Sequence, residues 1–184
     1  MKRILFVFVI LAALLLTACA PPSVSESESK LTPTGFTTAE NGLISYILNQ
    51  RVEALKIYGV LVDLIKNPNP DSVAWTNSFT DNMGQLEFMK AELEATPYPQ
   101  TLSVIYQDES DYLGHVVTSG YYLLDVAHAQ YMAKAMEDFP VQALDYQLDA
   151  INYMKQANAE LEKAVEASDK ITEWLTQRIP NLQK

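Results

Sequence analysis

Cysteine is almost absent: Cys19 is the only one in 184 residues. A single thiol forms no disulfide within its own chain, and neither a Cys-based metal site nor a Cys-x-x-Cys-His haem attachment can be built from it. Positive charge is scarce too. Lys and Arg number 13 against 23 Asp and Glu, which leaves a formal charge of −10. A surface with that excess repels phosphate backbones and disfavours nucleic-acid binding. Strand-like alternation of useful length is missing, so the chain reads as all-α. The apolar run from Ile4 to Leu16 has thirteen residues. Spanning a ~30 Å hydrocarbon core takes roughly 20, so this run is too short to cross. Histidine is limited to His115 and His128. Asp111 lies four residues before the first, and Asp125 three before the second. Thirteen residues of helix turn through roughly 220° beyond whole turns, so the two rings face nearly opposite ways and cannot share one metal. Both read as surface acid–His pairs.

What is present begins with Lys2 and Arg3, then the short apolar run, then small residues. That order describes a secretory signal peptide. Its end, Leu16-Thr17-Ala18-Cys19, resembles the lipobox of bacterial lipoproteins: an aliphatic residue, two small ones, then cysteine. The resemblance covers only these first nineteen residues. It implies that the Cys19 thiol takes a diacylglyceryl group as a thioether and that a peptidase cuts between Ala18 and Cys19. Cys19 then becomes the lipidated N-terminus, with no thiol left for redox or nucleophilic chemistry. Each buried CH₂ contributes about 0.8 kcal/mol, so one acyl chain holds marginally and two or three hold firmly. The implied location is the extracytoplasmic face of a bacterial membrane. Ala20 stands where lipoproteins retained on an inner membrane carry aspartate.

Removing residues 1–18 leaves 166 residues and moves the formal charge from −10 to −12. That is one ordinary domain, large enough to bury a core. Residues 20–37, rich in Pro, Ser, Thr and Glu, cannot offset their ordering entropy and read, with Cys19, as a flexible tether. A tether of that length gives roughly 20–25 Å of standoff. The bundle is expected over 38–180. Thr37-Thr38-Ala39-Glu40 has capping-box spacing, and Ile44, Leu48, Leu55, Tyr58, Val62 and Ile65 follow at helical steps to Asn67-Pro68. Asn69-Pro70-Asp71 offers the next cap, for a helix carrying Trp75, Phe79, Met83, Leu86 and Leu93. A third helix is expected from about Gln100 to Glu137, with Gly114 and Gly120 as points where it could bend. The fourth starts at Asp138-Phe139-Pro140, with Leu144, Leu148, Ile151, Leu161, Val165, Ile171 and Leu175 as its apolar stripe. Pro and Gly are read as punctuation at the joints. Short joints favour an up-down-up-down four-helix bundle whose longer third and fourth helices overhang the first pair.

Three polar residues interrupt the stripes: Arg51, Glu109 and Asn158. Turn counting from the shared end puts them at similar depth, as a candidate polar layer in which Arg51 pairs with Glu109. A buried pair of this kind fixes register, and losing one partner costs about 3–5 kcal/mol. Glu87, Glu92, Glu94, Glu160, Glu162 and Glu166 fall among Lys and Gln on polar faces, the pattern of solvated surface. No nucleophile, base and orienter converge, and no metal or cofactor is implied beyond the covalent lipid. Ten tyrosines are a distinctive excess. Tyr112, Tyr121, Tyr122 and Tyr131 form a candidate partner surface on the third helix, weighed against the plainer role of filling half-buried seams. The sequence thus points to a non-enzymatic protein-interaction or structural module held at a membrane, with another envelope protein as its partner. The alternative is a bundle that binds a small ligand or metal, which predicts an internal pocket near Arg51 and Glu109.

Overall fold

The computed structural model describes residues 35–179. The leader, Cys19 and most of the tether lie outside the described residues. Four helices follow in order: α1 (Thr38–Ile65), α2 (Val73–Ala95), α3 (Ser103–Ala135) and α4 (Pro140–Arg178), with a 3₁₀ turn over Gln100–Leu102 leading into α3. They contain 28, 23, 33 and 39 residues. The described residues form an all-α four-helix bundle with longer third and fourth helices.

Local chemistry sets the boundaries. Thr37 caps α1 in a reciprocal capping box: its hydroxyl accepts from the Glu40 amide at 3.2 Å, and its amide donates to the Glu40 carboxylate at 2.7 Å. Phe36, expected within the tether, is instead buried and stacked on Trp174 with centroids 5.8 Å apart. Order therefore reaches back at least to this ring. The cap of α2 is Ser72, whose hydroxyl accepts from the Trp75 amide. Asn69-Pro70-Asp71 forms the turn before it, closed by the Ser72 amide donating to the Asn69 carbonyl at 2.9 Å. Pro140 opens α4 from the first helical position, where no amide donor is missed.

Proline keeps to the joints among the described residues, but glycine does not. Gly42, Gly59, Gly84, Gly114 and Gly120 all lie inside helices. The helix α3 runs unbroken through Gly114 and Gly120. Gly120 has a packing role: a Cβ there would come within 2.5 Å of the Met83 sulfur. The α3 backbone therefore lies close against α2 at this point.

Cross-helix contacts fix the topology. Gln50 donates to the Met89 carbonyl at 3.3 Å and the Trp75 indole to the Leu64 carbonyl at 3.1 Å, so α1 and α2 are antiparallel. Tyr58 meets Ser119 while Arg51 meets Glu109, so α3 runs parallel to α1. Ser119 meets Ala157 while His115 meets Glu160, so α4 runs back along α3. In this register α1 ends near the level of residue 125 of α3. The last turns of α3 and the first of α4 run past the ends of α1 and α2, with the α1–α2 joint at Lys66–Asn69 lying beside residues 130–137 at the end of α3.

The orientation of α4 differs from the sequence reading. Its buried residues include Ala143, Ala150, Ala157 and Ala164, followed by Ile171, one every seven residues. A heptad of small side chains lets two backbones approach closely along a shared seam. The α3–α4 pair is accordingly the most extensive helix contact in the fold. Leu144, Leu148, Ile151 and Val165, expected in the core, are each at least half exposed. A weight-by-hydrophobicity reading puts leucine inside; the seam instead selects the side chains that let the helices touch.

Candidate functional site

Two polar groups of the core lie across the middle of the bundle. Arg51 of α1 and Glu109 of α3 meet with Nε and Oε2 3.5 Å apart. Arg51 is 8% exposed and Glu109 is 0% exposed. Neither Glu109 oxygen has a hydrogen-bond partner, and Arg51 Nη2 has none either. The contact is electrostatic proximity without a charge-assisted hydrogen bond. Burial pushes the Glu109 carboxyl up to about 8, against the opposing pull of Arg51. Burial thus favours the proton-bearing form of the carboxyl, while the Arg51 charge beside it favours the ionised one. The Arg51 guanidinium lies 5.3 Å from the centre of the Tyr112 ring, whose face attracts cations. Tyr112 also donates toward the Arg51 carbonyl at 3.5 Å.

Asn158 takes no part in this layer: it is exposed. The alanine seam explains why. With Ala157 turned fully into the α3 interface, its neighbour is rotated by about 100° toward solvent. The polar group that does enter the seam is Ser119, fully buried. Its hydroxyl donates to the Ala157 carbonyl at 2.8 Å and lies 2.6 Å from the Tyr58 hydroxyl. A carbonyl only accepts, so the Ser119 proton is committed and Tyr58 must donate to Ser119. This relay ties α1, α3 and α4 together. Replacing Ser119 by alanine strands the buried Tyr58 hydroxyl and should cost about 1–3 kcal/mol. Adding Tyr58→Phe should recover most of that loss. Urea titration of the two single variants and the double variant checks it; strictly additive losses would contradict the relay.

The four tyrosines do not form one surface. Tyr112 is 3% exposed and belongs to the core, because nine residues of helix turn it to the side opposite Tyr121. Tyr121 is exposed and its hydroxyl donates to Glu87 of α2. Tyr122 is half-buried against the core, and the Tyr131 hydroxyl donates to Asp71 before α2. Each ring fills a seam or ties α3 to a neighbour. His115 pairs across helices with Glu160 of α4 at 2.7 Å, while Asp111 accepts from Gln107. Lys163, and next His115, hold the Glu160 carboxyl below the usual carboxylate range. Among the described residues no group of three or more His, Cys, Asp or Glu is placed to hold a metal ion, and no helix is long and apolar enough to cross a membrane.

Two surface features remain. The overhanging part of α4 exposes Val141, Leu144, Leu148 and Ile151 on one face, each at least 50% exposed. Farther along, α4 and α1, with Tyr112 of α3, line a partly open cavity of about 190 Å³ between Leu48, Arg51, Val52, Leu161 and Leu175, among other side chains. Its place in an apolar stripe marks Arg51 in the sequence. The ligand-binding alternative expects a pocket near Arg51 and Glu109; this cavity is lined by Arg51 and not by Glu109.

These features define an all-α bundle with a partly apolar outer face and a small side cavity. The chain matches no family model, no curated protein and no solved structure.

Proposed function

We propose that this chain is a lipid-anchored, non-enzymatic interaction module on the extracytoplasmic face of a bacterial membrane. Cys19 carries the lipid, residues 19–35 serve as the tether, and the bundle presents the outer face of α4 to another envelope protein. The observation that supports an interaction role is the exposed row Val141, Leu144, Leu148 and Ile151. Their spacing of three and four residues is that of a helix laid into a groove. Four large apolar side chains in one contiguous row on an overhang favour a docking face over scattered surface apolars.

Charge narrows the partner. Asp145 and Asp149 flank the row, and the chain without its leader carries −12. A second copy would set acid against acid. The complementary surface is an apolar groove edged by Lys or Arg, on a different protein.

A photo-crosslinking residue at position 148, in the chain expressed in its native membrane, tests this. The expected product is one discrete adduct with a different protein. It should disappear when Leu144→Asp is added, and a crosslinker at position 56 should give none. An adduct of twice the chain mass would replace the proposed partner with a second copy. No adduct at position 148, or equal adducts at both positions, would contradict a docking role for this face.

A further inference from the structure

The cavity between α1 and α4 lies toward the opposite end of α4 from the apolar row and raises a separate question. Its walls are mainly aliphatic, with Leu48 and Val52 on one side and Leu161 and Leu175 on the other. Exposed Leu55 and Val165 stand at its mouth. The charged member of the lining is Arg51, about nine-tenths buried; its guanidinium donates no hydrogen bond, its Nη2 is closed to solvent, and its Nε has only the long contact to Glu109. A buried guanidinium with hydrogen-bonding capacity unspent, at the wall of an apolar cavity, is complementary to a planar anion that brings its own apolar body.

We propose that this cavity binds a small carboxylate with an apolar body, its head group on Arg51 and its body between Leu48, Val52 and Leu161. Size limits the ligand. A dry cavity of about 150 Å³ accepts benzene, so this one suits a single ring or a chain of about six carbons. Longer acyl chains would have to leave through the mouth past Leu55 and Val165. An amine of the same shape would meet Arg51 with like charge, and an alcohol would fill the space without neutralising the guanidinium.

The test titrates the purified chain with hexanoate, hexanol and hexylamine and follows the Leu and Val methyl resonances of the lining. Hexanoate should bind at least tenfold more tightly than hexanol, with hexylamine the weakest. Arg51→Met should bring hexanoate to within about twofold of hexanol while hexanol still binds. Ser168→Leu, which fills the cavity from α4 without touching the charge, should abolish binding of both. Leu148→Asp should leave hexanoate binding unchanged, which separates this site from the docking face. Equal affinity for hexanoate and hexanol in the unmodified chain would overturn the proposal. So would an Arg51→Met chain that kept the tenfold preference, or a Ser168→Leu chain that still bound hexanoate. Should Arg51→Met fail to fold, the three-ligand comparison and Ser168→Leu still decide.

Discussion

Replacing Ala157 by leucine is expected to destabilise the bundle by about 2–6 kcal/mol. Ala157 is fully buried in the α3–α4 seam, and the Ser119 hydroxyl reaches its carbonyl at 2.8 Å. A leucine has no space there without prising the backbones apart. Overpacking alone costs about 1–3 kcal/mol. Separating the helices would also break the Ser119 bond and strand the Tyr58 hydroxyl behind it, adding about 1–3 kcal/mol. For a domain of this size the combined loss corresponds to a fall of roughly 5–20 °C in melting temperature. The contrasting substitution is Leu148→Ala, which deletes a larger apolar side chain from an exposed position and should stay within about 0.5 kcal/mol. Thermal and urea unfolding of both chains reads the difference. A tolerated Ala157→Leu together with a destabilising Leu148→Ala would mean that α4 faces the other way.

The second large effect is a pH dependence set by Glu109. Its carboxyl in the folded protein is pushed by burial from an ordinary 4.5 to about 8. The folded state therefore holds a proton that the unfolded chain releases as pH rises. The sign follows: this contribution is fully present below about pH 4.5, declines as pH rises, and is gone above about pH 8. At 1.36 kcal/mol per pKa unit, the ceiling is about 5 kcal/mol. Tyr112, beside the pair, stays neutral across this range because burial raises its phenol further. Asp108 is also raised by burial, with Lys170 and Arg51 opposing, but it remains in both chains of the comparison. Glu109→Gln keeps the shape and removes the titration. Its stability relative to the parent should rise steadily between pH 5 and pH 8. A difference independent of pH would contradict a raised Glu109. A parent that gained on Glu109→Gln as pH rose would show that the ionised Arg51–Glu109 pair is itself stabilising.

The legibility of this fold followed the size of the side chains involved. The first two helices were readable because large apolar residues carry their core: Ile44, Leu48 and Tyr58 on one, Trp75, Phe79, Met83, Leu86 and Leu93 on the other, all buried. The capping box at Thr37 and the proline start of α4 at Pro140 were equally plain, since each acts within its own turn. The failure on α4 came from treating hydrophobic weight as burial. Alanine contributes little to a hydrophobic stripe, yet Ala143, Ala150, Ala157 and Ala164 line the seam. Their seven-residue spacing was the signal that could have found it. Turning α4 to that face also accounts for Asn158 lying outside and for the exposed Leu144, Leu148 and Ile151.

The same distinction separates the site residues. Arg51 and Glu109 stood out as charges at apolar positions, which a stripe makes visible. Ser119 and Gln50 did not, because a small or neutral polar residue at a core position resembles ordinary variation. Gln50 is buried all the same and donates to the Met89 carbonyl at 3.3 Å. Tyrosine count, which groups Tyr112 with Tyr121 as a candidate surface against the plainer seam role, carries no rotational information. The angle of Tyr112 relative to Tyr121 does.

The proposed role rests first on attachment at Cys19. The most direct measurement is the intact mass and N-terminal fragment mass of the chain isolated from its native membranes. The expected chain starts at Cys19 and carries a diacylglyceryl thioether on its sulfur. A chain that retains Met1, or one with a free thiol at Cys19, would contradict it.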